Sequence, residues 1–594
     1  MQFSKLAQYF SRIEATPKRL EITAILAELL KESSPEEIDK ICYLVLGRLA
    51  PPYEGIEFNL AEKMMVRVLA SAYGVKEEEA RQAYKVKGDL GEAAEELAEG
   101  KKPKAKGPSV EAVYDRLREV AEAAGTGSQE KKVSGMAGLL GDLDPLSARY
   151  VARIPVGKLR MGFSDKTILD ALSVAEAGDK SARPVIERAY NVSADIGRIA
   201  RLMKERGIKG VEKIEVTVGV PVRMASAERL PTPRDILDKM GGKLAAEPKF
   251  DGFRVQVHLD KSRQLKDRSS SEQLSMLGEE IGGPWVKTFS RNLEDTTAMF
   301  PEIVAAVQQL PAQSLIMEGE AIAYNPETEE FEPFQETAKR KRKYGIREKA
   351  TELPLKIFAF DLLYRDGEDL TNEPYEQRRK ALVKLIRGRE DTILVAEEQV
   401  FTDPQKLEEF FNEQIEHGLE GIMTKRLDGA YAAGVRNFNW VKLKRLEGGQ
   451  LKDTIDGVVL GYYKGRGKRA QFGIGGFLVA VYDDQEDTFK TISRVGTGLT
   501  DEEWREMKRR VDAFKTKEKP KNAEVAKELT PDVWADPEIV VAIRADEITK
   551  SPSHTAGGMA LRFPRLMAFR DDKEPEQATT VREVEELFKQ QRKR

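Results

Sequence analysis

The spacing of apolar residues changes along this chain of 594 residues, and no other feature constrains its fold as strongly. Over roughly the first two hundred residues the apolar positions recur every three or four residues, as they do from Ile22 to Leu30, which is typical of amphipathic helices. From Phe253 to Leu259 they alternate with polar residues, which predicts a strand. A chain of this length is expected to contain three or more domains. The sequence therefore predicts a helical region followed by regions that contain β-sheet.

Local signals predict several further elements. Ser34-Pro-Glu-Glu37 is a typical helix start, and Lys101–Gly107 predicts a polar loop between helices. Thr454–Tyr482 alternates apolar residues around glycine-rich turns, which predicts a hairpin of a small barrel such as the oligonucleotide-binding (OB) fold. Thr580–Lys589 predicts a final helix, which a basic tail follows.

The composition excludes some kinds of site. With one cysteine, Cys42, and three histidines, the sequence excludes a disulfide framework and argues against a Cys/His zinc site. Any required metal is therefore expected to be a hard cation bound by oxygen. Cys42 lies in an apolar run and is expected in the core. The sequence contains neither an apolar stretch of about eighteen residues nor a signal-peptide pattern, so we expect a cytoplasmic protein.

The charge is nearly balanced. The net charge of −3, from 97 basic and 100 acidic residues, is not the overall charge of a basic nucleic-acid binder. Basic clusters alternate with acidic stretches such as Gly91–Gly100 and Thr500–Met507. We therefore expect a positive inner surface and an acidic exterior.

The segment Glu247-Pro-Lys-Phe-Asp-Gly-Phe-Arg254 carries the clearest chemical signal. It places Lys249 at the edge of the predicted strand, beside a glycine that would let a phosphate approach the backbone. A lysine fixed in this way can act as a nucleophile once it is neutral. The segment resembles the nucleotide-charging motif of the ATP-dependent DNA ligases and their relatives, the RNA ligases and mRNA capping enzymes. The resemblance implies that Lys249 attacks the α-phosphate of a nucleotide and becomes covalently nucleotidylated.

Further segments resemble the successive motifs of the same family. They are Phe289–Asn292, Glu318–Ala323, Lys356–Tyr364, Glu420–Lys425 and Arg436 with Trp440–Lys444. The resemblance assigns Glu247 to adenine, and Arg254 and Arg291 to phosphate and ribose. It assigns Glu320 to ribose or metal, Phe360 to stacking on adenine, and Glu420 to metal. Arg436 is expected to contact the nucleotide.

Lys442 and Lys444 lie two residues apart and should therefore share one face of a strand. Two ammonium groups on one face repel each other unless an anion lies between them, and a triphosphate is such an anion. The pair would also favour the neutral form of Lys249. The alternative is an exposed basic strand face.

Near the C-terminus, Leu561–Arg565 leads into Arg570-Asp-Asp-Lys573. This resembles the last family motif, which lies on an OB-fold domain and swings onto the pyrophosphate. The resemblance assigns Arg570 and Lys573 to the nucleotide, and it implies that the OB domain reorients between reaction steps.

Two loops of the helical region can present backbone N–H groups and positive charge to a phosphate. They resemble loops of the DNA-binding domain that precedes the catalytic core in this ligase class, and each could instead be a plain loop. The residues expected to contact DNA are Gly125, Ser128, Lys131, Lys158 and Arg160.

Together these motifs are similar to those of ATP-dependent DNA ligases of the archaeal and eukaryotic replicative type. The resemblance implies an all-α DNA-binding domain (1–215), an α+β nucleotidyltransferase domain (216–446) and a C-terminal β-barrel OB-fold domain (447–594). It implies the sealing of nicks in duplex DNA through lysyl-AMP and 5′-adenylated DNA, in replication, repair and recombination. ATP and Mg²⁺ are the expected cofactors, with Mn²⁺ as a substitute for Mg²⁺. We expect a monomer; Gln8-Tyr9-Phe10 fits a sliding-clamp contact and fits an amphipathic helix equally well.

Other interpretations stay open at this point. The interval between Arg254 and Arg291 is longer than the family pattern, and the segment Lys261–Pro284 within it predicts an inserted surface loop or helix. The same chemistry could serve an RNA ligase or a capping guanylyltransferase, and ADP or NAD⁺ could also be donors. A nucleic-acid-binding scaffold with an inactive nucleotidyltransferase domain is a further alternative. The absence of a G-x-x-x-x-G-K-[ST] pattern argues against a phosphate-loop ATPase.

Overall fold

The computed structural model of the protein divides into two compact units, Met1–Lys444 and Arg445–Arg594. It describes residues 1–101, 107–157, 159, 161, 163–230, 232–264, 283–325, 330–332, 336–337, 339–340, 350, 352–388, 391–416, 419–444, 454–465 and 472–592. Within these ranges, no helix is both long and apolar enough to cross a membrane.

The first unit begins with an all-helical region. Its helices are α1 (Phe3–Glu14), α2 (Arg19–Glu32), α3 (Ile38–Val45), α4 (Glu62–Tyr73), α5 (Glu77–Lys87), α6 (Leu90–Ala98), α7 (Val110–Glu122), α8 (Ser128–Gly141), α9 (Pro145–Arg153), α10 (Asp165–Ala177), α11 (Arg183–Val192) and α12 (Ile196–Glu212). The predicted apolar face of α2 is confirmed, because Ile22, Leu26, Leu29 and Leu30 are buried. Cys42 is also buried, as expected.

Two details of this region differ from or refine the predictions. Helix α3 begins at Ile38 and not at Ser34; the Glu37 carboxylate accepts a hydrogen bond from the Ser34 N–H (3.1 Å), as in one half of a capping box, and binds the N-terminal ammonium of Met1 (2.5 Å). These bonds hold the residues before Ile38 in a turn. In α1, Tyr9 and Phe10 are buried in the helical core, so this segment is part of an amphipathic helix.

The rest of the first unit is α+β. Its elements are β1 (Ser226–Arg229), α13 (Pro233–Lys239), β2 (Leu244–Pro248), β3 (Phe253–Gln264), β4 (Pro284–Ser290), α14 (Pro301–Gln308), β5 (Ser314–Asn325), β6 (Glu330–Phe331), β7 (Leu355–Arg365), β8 (Glu368–Asp369), α15 (Tyr375–Ile386), β9 (Ile393–Val395), β10 (Gln399–Phe401), α16 (Pro404–Glu416), β11 (Gly421–Arg426) and β12 (Arg436–Lys444). One sheet has the order β1-β12-β11-β2-β10, and the other has the order β4-β3-β5-β7-β8, with β6 on β5 and β9 on β7.

The predicted strand at Phe253–Leu259 is confirmed as β3. Its apolar face enters the core with Val255, Val257 and Leu259. The opposite face is buried as well, because Gln256 and His258 bond to the chain segment that leaves the helical region. Gln256 pairs with both the N–H (2.8 Å) and the C=O (2.9 Å) of Val222. This face therefore joins the helical region to the sheet.

The second unit is rich in β-structure. Its elements are β13 (Ile455–Tyr463), β14 (Gly476–Asp483), β15 (Thr488–Val495), α17 (Asp501–Ala513), β16 (Lys515–Thr516), β17 (Ala523–Glu524), β18 (Val533–Arg544), β19 (Glu547–Lys550), β20 (Met559–Arg562), β21 (Arg565–Phe569) and α18 (Val581–Arg592). Its main sheet has the order β16-β18-β13-β14-β15-β17, with β21 on β18. The predicted hairpin is confirmed as β13 and β14, and the predicted final helix as α18.

Candidate active site

A cavity of about 360 Å³ lies where strand β2 of one sheet leads into strand β3 of the other. It brings together most of the residues that the sequence predicts for nucleotide binding. Among its lining residues are Glu247, Lys249, Arg254, Arg291, Glu320, Phe360 and Lys442. These residues come from separate strands and loops of the first unit, and the fold brings them together in one cavity.

Lys249 follows β2 directly, and its backbone N–H donates to the Gly421 carbonyl (2.9 Å). Its side-chain Nζ lies 2.5 Å from the Glu420 carboxylate, which also lies 2.8 Å from the Nζ of Lys444. Burial disfavours the charged form of Glu420, but the two ammonium groups outweigh burial and lower its pKa. One carboxylate is therefore shared by the predicted nucleophile and a second lysine.

Lys442, the other predicted lysine of β12, lines the cavity. Burial lowers its pKa, and the positive charges of Lys444, Arg436, Lys249 and Arg291 lower it further. Several positive charges that meet around one lysine and lower its pKa form an electrostatic environment that favours a bound anion. The cavity is thus suited to phosphate groups.

Gly252 allows β2 and β3 to connect in close contact with β5. A Cβ at this position would lie 2.5 Å from the Ala321 carbonyl oxygen, so a larger residue does not fit. Its N–H donates to the Glu320 carboxylate (3.2 Å). Burial raises the pKa of Glu320 to about 7, although Lys249 and Arg254 oppose that shift. The sequence predicted a glycine that admits phosphate, and the structure adds a packing reason for it.

Arg254 has protein partners on two sides. It donates to Glu318 (2.7 Å) and to the Ala225 carbonyl (2.6 Å), and its guanidinium lies over the rings of Phe360 and Trp440. Glu318 is fully buried. Sequence reasoning emphasised Glu320 and missed the role of Glu318, although the two lie two residues apart on one strand and so on one face.

A buried ammonium group forms one wall of the site, and sequence reasoning missed it. Lys425 is 1% exposed and lies 2.7 Å from the Glu247 carboxylate, 2.9 Å from the Phe360 carbonyl, and 4.7 to 4.8 Å from the ring centres of Phe360, Tyr375 and Trp440. Burial lowers the pKa of Lys425 and raises that of Glu247. The available signal was a lysine inside a short buried strand, where an unpaired charge is costly.

Glu247 is held from several directions. Besides Lys425, it accepts a hydrogen bond from the Tyr375 hydroxyl (2.8 Å) and one from Arg379 (3.3 Å). Phe360, the predicted stacking residue, meets Trp440 edge to face with ring centres 5.9 Å apart. The carboxylate and the aromatic ring therefore stand in fixed positions at the cavity wall.

The predicted metal ligands offer two carboxylates. Glu420 contacts Lys249 directly, and Lys249 also acts electrostatically on Glu320. In the described part of the chain no group of three or more His, Cys, Asp or Glu side chains could hold a metal ion. A two-carboxylate set fits a cation such as Mg²⁺, which usually takes its other ligands from phosphates and water.

The predicted DNA contacts are partly described. Gly125 and Gly127 have positive φ angles of 79° and 77°, and Ser128 and Lys131 lie in the first turn of α8. Lys158 and Arg160 lie outside the described residues. Of the long interval Lys261–Pro284, the ends belong to β3 and β4, which pair with each other, and residues 265–282 lie outside the described residues.

The last predicted motif lies in the second unit. Arg570 and Lys573 both bind the carboxylate of Asp456, at 3.0 Å and 2.6 Å. Arg570 also binds Asp572 at 2.7 Å. Sequence reasoning missed Asp456, because no local pattern connects it with residues so distant in the chain.

Comparison with known proteins gives matches along the whole chain. Three family models match in order: DNA ligase N terminus (residues 2–173), ATP dependent DNA ligase domain (278–444) and ATP dependent DNA ligase C terminal region (470–573). The probable DNA ligase of Dictyoglomus thermophilum is 48% identical, over 100% of this chain and 98% of its own. The DNA ligase of Pyrobaculum islandicum is 40% identical, over 100% of this chain and 99% of its own.

A solved structure gives the same architecture. The chain named Pmar-Lig_PreS3 matches with a TM-score of 0.53 and 19% identity, covering 95% of this chain and 99% of its own. At that identity the match shows the fold alone.

Proposed function

Because the chain belongs to the family of ATP-dependent DNA ligases, we propose that Lys249 is the nucleophile that takes AMP from ATP and passes it to the 5′-phosphate of a DNA nick. One observation carries this assignment. The Lys249 ammonium lies against Glu420 in a cavity that Lys442 and Arg291 also line, so the predicted nucleophile faces an anion-binding site. Membership of the family shows the reaction, and the position of Lys249 in the cavity supports the proposal that it is the nucleophile.

The first step is self-adenylylation. A bond forms between Lys249 Nζ and the α-phosphorus, and the bond from that phosphorus to the bridging oxygen breaks. Pyrophosphate leaves with the electron pair. Lys249 gives up two protons to solvent in all, one to become a nucleophile and one as the phosphoramidate forms. Lys442 and Arg291, which line the same cavity, would stabilise the negative charge that develops on the transferred phosphate.

The next two steps transfer and seal. The 5′-phosphate oxygen of the nick attacks the phosphorus of lysyl-AMP and the phosphorus–nitrogen bond breaks. Lys249 Nζ takes up a proton from solvent as it leaves, and AMP stays on the DNA. The 3′-hydroxyl then attacks the activated 5′-phosphate, loses its proton, and AMP departs with the electron pair. Each step exchanges one phosphorus bond for another, so no further co-reactant is needed.

The fixed wall of the cavity would recognise the nucleoside. Glu247, which Lys425 and Tyr375 hold, would accept a hydrogen bond from the adenine amino group. Phe360 would stack on the base. Arg254, Glu320 and Arg436 are proposed contacts of the ribose and phosphates.

Glu420 and Glu320 would hold the divalent metal, which we propose to be Mg²⁺ with Mn²⁺ as a substitute. When bound, the metal supplies positive charge to the phosphates. For the nucleophile, the contact that matters is the ion pair between Lys249 and Glu420. It engages the Nζ that has to attack, so the pair must separate before Lys249 can reach the α-phosphorus.

The remaining assignments are also proposals. They are the domain limits 1–215, 216–446 and 447–594, DNA contacts by Gly125, Ser128, Lys131, Lys158 and Arg160, and pyrophosphate contacts by Arg570 and Lys573. We propose that the protein acts as a monomer, with a sliding clamp as a partner for which no surface is assigned.

The test uses ATP labelled on the α-phosphate. The wild-type protein should acquire covalent label, Lys249→Ala should acquire none, and Lys243→Ala, a nearby exposed lysine, should label normally. A chase with nicked duplex DNA should remove the label and seal the strand. Normal labelling of Lys249→Ala would contradict the assignment of the nucleophile. Label that nicked RNA removes and nicked DNA does not would contradict the assignment of the substrate.

A further inference from the structure

Asp456 of the second unit binds both basic residues of the last predicted motif, Arg570 and Lys573. It lies at the start of β13, and its carboxylate accepts hydrogen bonds from Arg570 Nη1 (3.1 and 3.0 Å, one to each oxygen) and from Lys573 Nζ (2.6 Å). The side chain of Asp456 is only 9% exposed, whereas those of Arg570 and Lys573 are 27% and 31% exposed. A buried carboxylate therefore anchors two partly exposed cations.

The backbone around Asp456 is fixed on both sides. In the sheet, Asp456 pairs with Ala542 of β18. On the other side, its N–H donates to the Thr579 hydroxyl (3.0 Å) and its C=O accepts from the Thr579 N–H (2.9 Å). A carboxylate on such a backbone has little freedom to move, so it can define where its partners stand.

The two cations can still meet a further anion, Lys573 through its remaining N–H groups and Arg570 where an anion displaces Asp572 from its Nε and Nη2. Lys573 uses one of its three N–H groups on Asp456, and Arg570 uses its Nη1 there. The other side of the Arg570 guanidinium meets Asp572, whose side chain is 65% exposed and thus open to solvent and to competition. Without Asp456 the neighbouring positive charges of Arg570 and Lys573 would repel each other.

We propose that Asp456 is a positioning residue for self-adenylylation, which holds Arg570 and Lys573 as one preorganised pair that receives the pyrophosphate end of ATP. The inference rests on the proposed function of Arg570 and Lys573. It adds that their geometry depends on a third, buried group. Preorganised charges stabilise a leaving group better than charges that must first be ordered.

The direct test compares Asp456→Asn with Asp483→Asn in the full-length protein. Asp483 is a matched control, because it is a similarly buried carboxylate of the same sheet that binds a lysine, Lys490, at 2.9 Å. Asp456→Asn should slow self-adenylylation about tenfold or more, whereas Asp483→Asn should not. Both variants should seal a nick that already carries 5′-AMP at the wild-type rate, since that step needs no pyrophosphate. Loss of this sealing in Asp456→Asn would overturn a role specific to pyrophosphate.

A second measurement reads pyrophosphate itself. Protein already carrying lysyl-AMP is mixed with increasing pyrophosphate, and the return of ATP is followed. Asp456→Asn should need about tenfold more pyrophosphate for half-maximal discharge. Arg570→Ala should also need more, and this variant tests the underlying assignment on its own.

The outcomes separate the two proposals. If Arg570→Ala discharges like wild type, the proposed function of Arg570 is wrong. If Arg570→Ala is impaired and Asp456→Asn discharges like wild type, the positioning role of Asp456 is wrong. Impairment of both, with normal sealing of the adenylated nick, supports the inference.

Discussion

At the scale of single residues, the site is built from charges that share partners. Glu420 lies between Lys249 and Lys444, and Glu247 is held by Lys425, Tyr375 and Arg379. In both groups a buried or half-buried carboxylate decides where the other groups stand. The sequence identified Lys249, Glu420 and Glu247 but not Lys425, because a motif specifies residue types and leaves their partners open.

The Lys425–Glu247 pair gives a prediction for stability. Lys425→Met should destabilise the first unit by about 3 kcal/mol, because it leaves Glu247 buried without its nearest cation. The double variant Lys425→Met/Glu247→Gln should recover part of this loss, since it removes the uncompensated charge. Denaturant unfolding of the single and double variants measures both values. A double variant less stable than the sum of the two single effects would contradict a charge-based explanation.

At the scale of elements, the register of three strands aligns the site. In β11, Met423 pairs with Glu247 of β2 on one side and with Lys442 of β12 on the other. The hydrogen bond from Lys249 N–H to the Gly421 carbonyl continues this alignment beyond the end of β2. The positions of Glu420 and Lys249 relative to each other thus depend on the first residue of β11.

Gly421 gives a prediction for this alignment. Its φ is +143°, and a Cβ would lie 2.2 Å from the Leu443 carbonyl oxygen. Gly421→Ala should therefore shift β11 against β12 and reduce the self-adenylylation rate by about a hundredfold.

A matched control separates the effect of the clash with the Leu443 carbonyl from the cost of placing an alanine at a positive φ angle. Gly367, in the turn between β7 and β8, has a φ of +101° but no atom within 4 Å of a Cβ. Gly367→Ala should lose about 1 to 2 kcal/mol of stability and keep its rate. Equal rates for the two variants, measured with α-labelled ATP, would show that the alignment does not depend on Gly421.

At the scale of the whole molecule, the first unit depends on a buried polar junction between its helical region and its sheets. His258 is fully buried there, where Nδ1 accepts from the Gly219 N–H (3.0 Å) and Nε2 lies 2.9 Å from the Gln256 side-chain oxygen. Because Nδ1 accepts a hydrogen bond and only Nε2 carries a proton, the imidazole of His258 is neutral in this arrangement. Burial, with a smaller effect of Lys287, lowers the pKa of His258 to about 3.

The shifted pKa of His258 predicts how stability depends on pH. Below its ordinary pKa of about 6.5 the unfolded chain binds a proton at this ring that the folded chain does not bind until about pH 3. The contribution of His258 to stability should therefore be complete at pH 7 and fall by about 2 kcal/mol by pH 5.

Urea unfolding at the two pH values tests this prediction. His258→Gln lacks the titrating ring, so its stability should change less between pH 7 and pH 5 than that of the wild type. An equal change in the two proteins would show that His258 is not responsible.

The sequence by itself determined the types of elements and the order of the chemical groups. Apolar spacing predicted the helices, β3 and the β13–β14 hairpin, because the periods of helix and strand are local properties of the chain. A helix start was predicted at Ser34, whereas α3 begins four residues later, after a turn in which Glu37 also binds the N-terminal ammonium of Met1, a partner that the local pattern does not contain.

Only the tertiary structure decided which charges meet. Lys425 with Glu247, Glu420 with both Lys249 and Lys444, and Asp456 with Arg570 and Lys573 join residues that are distant in the chain. These pairings follow from strand register and from burial, where an unpaired charge is costly and each group must find a partner. The local spacing of residues contains information on neither strand register nor burial. The types of the site residues were therefore predictable from the sequence, and the pairs that they form were not.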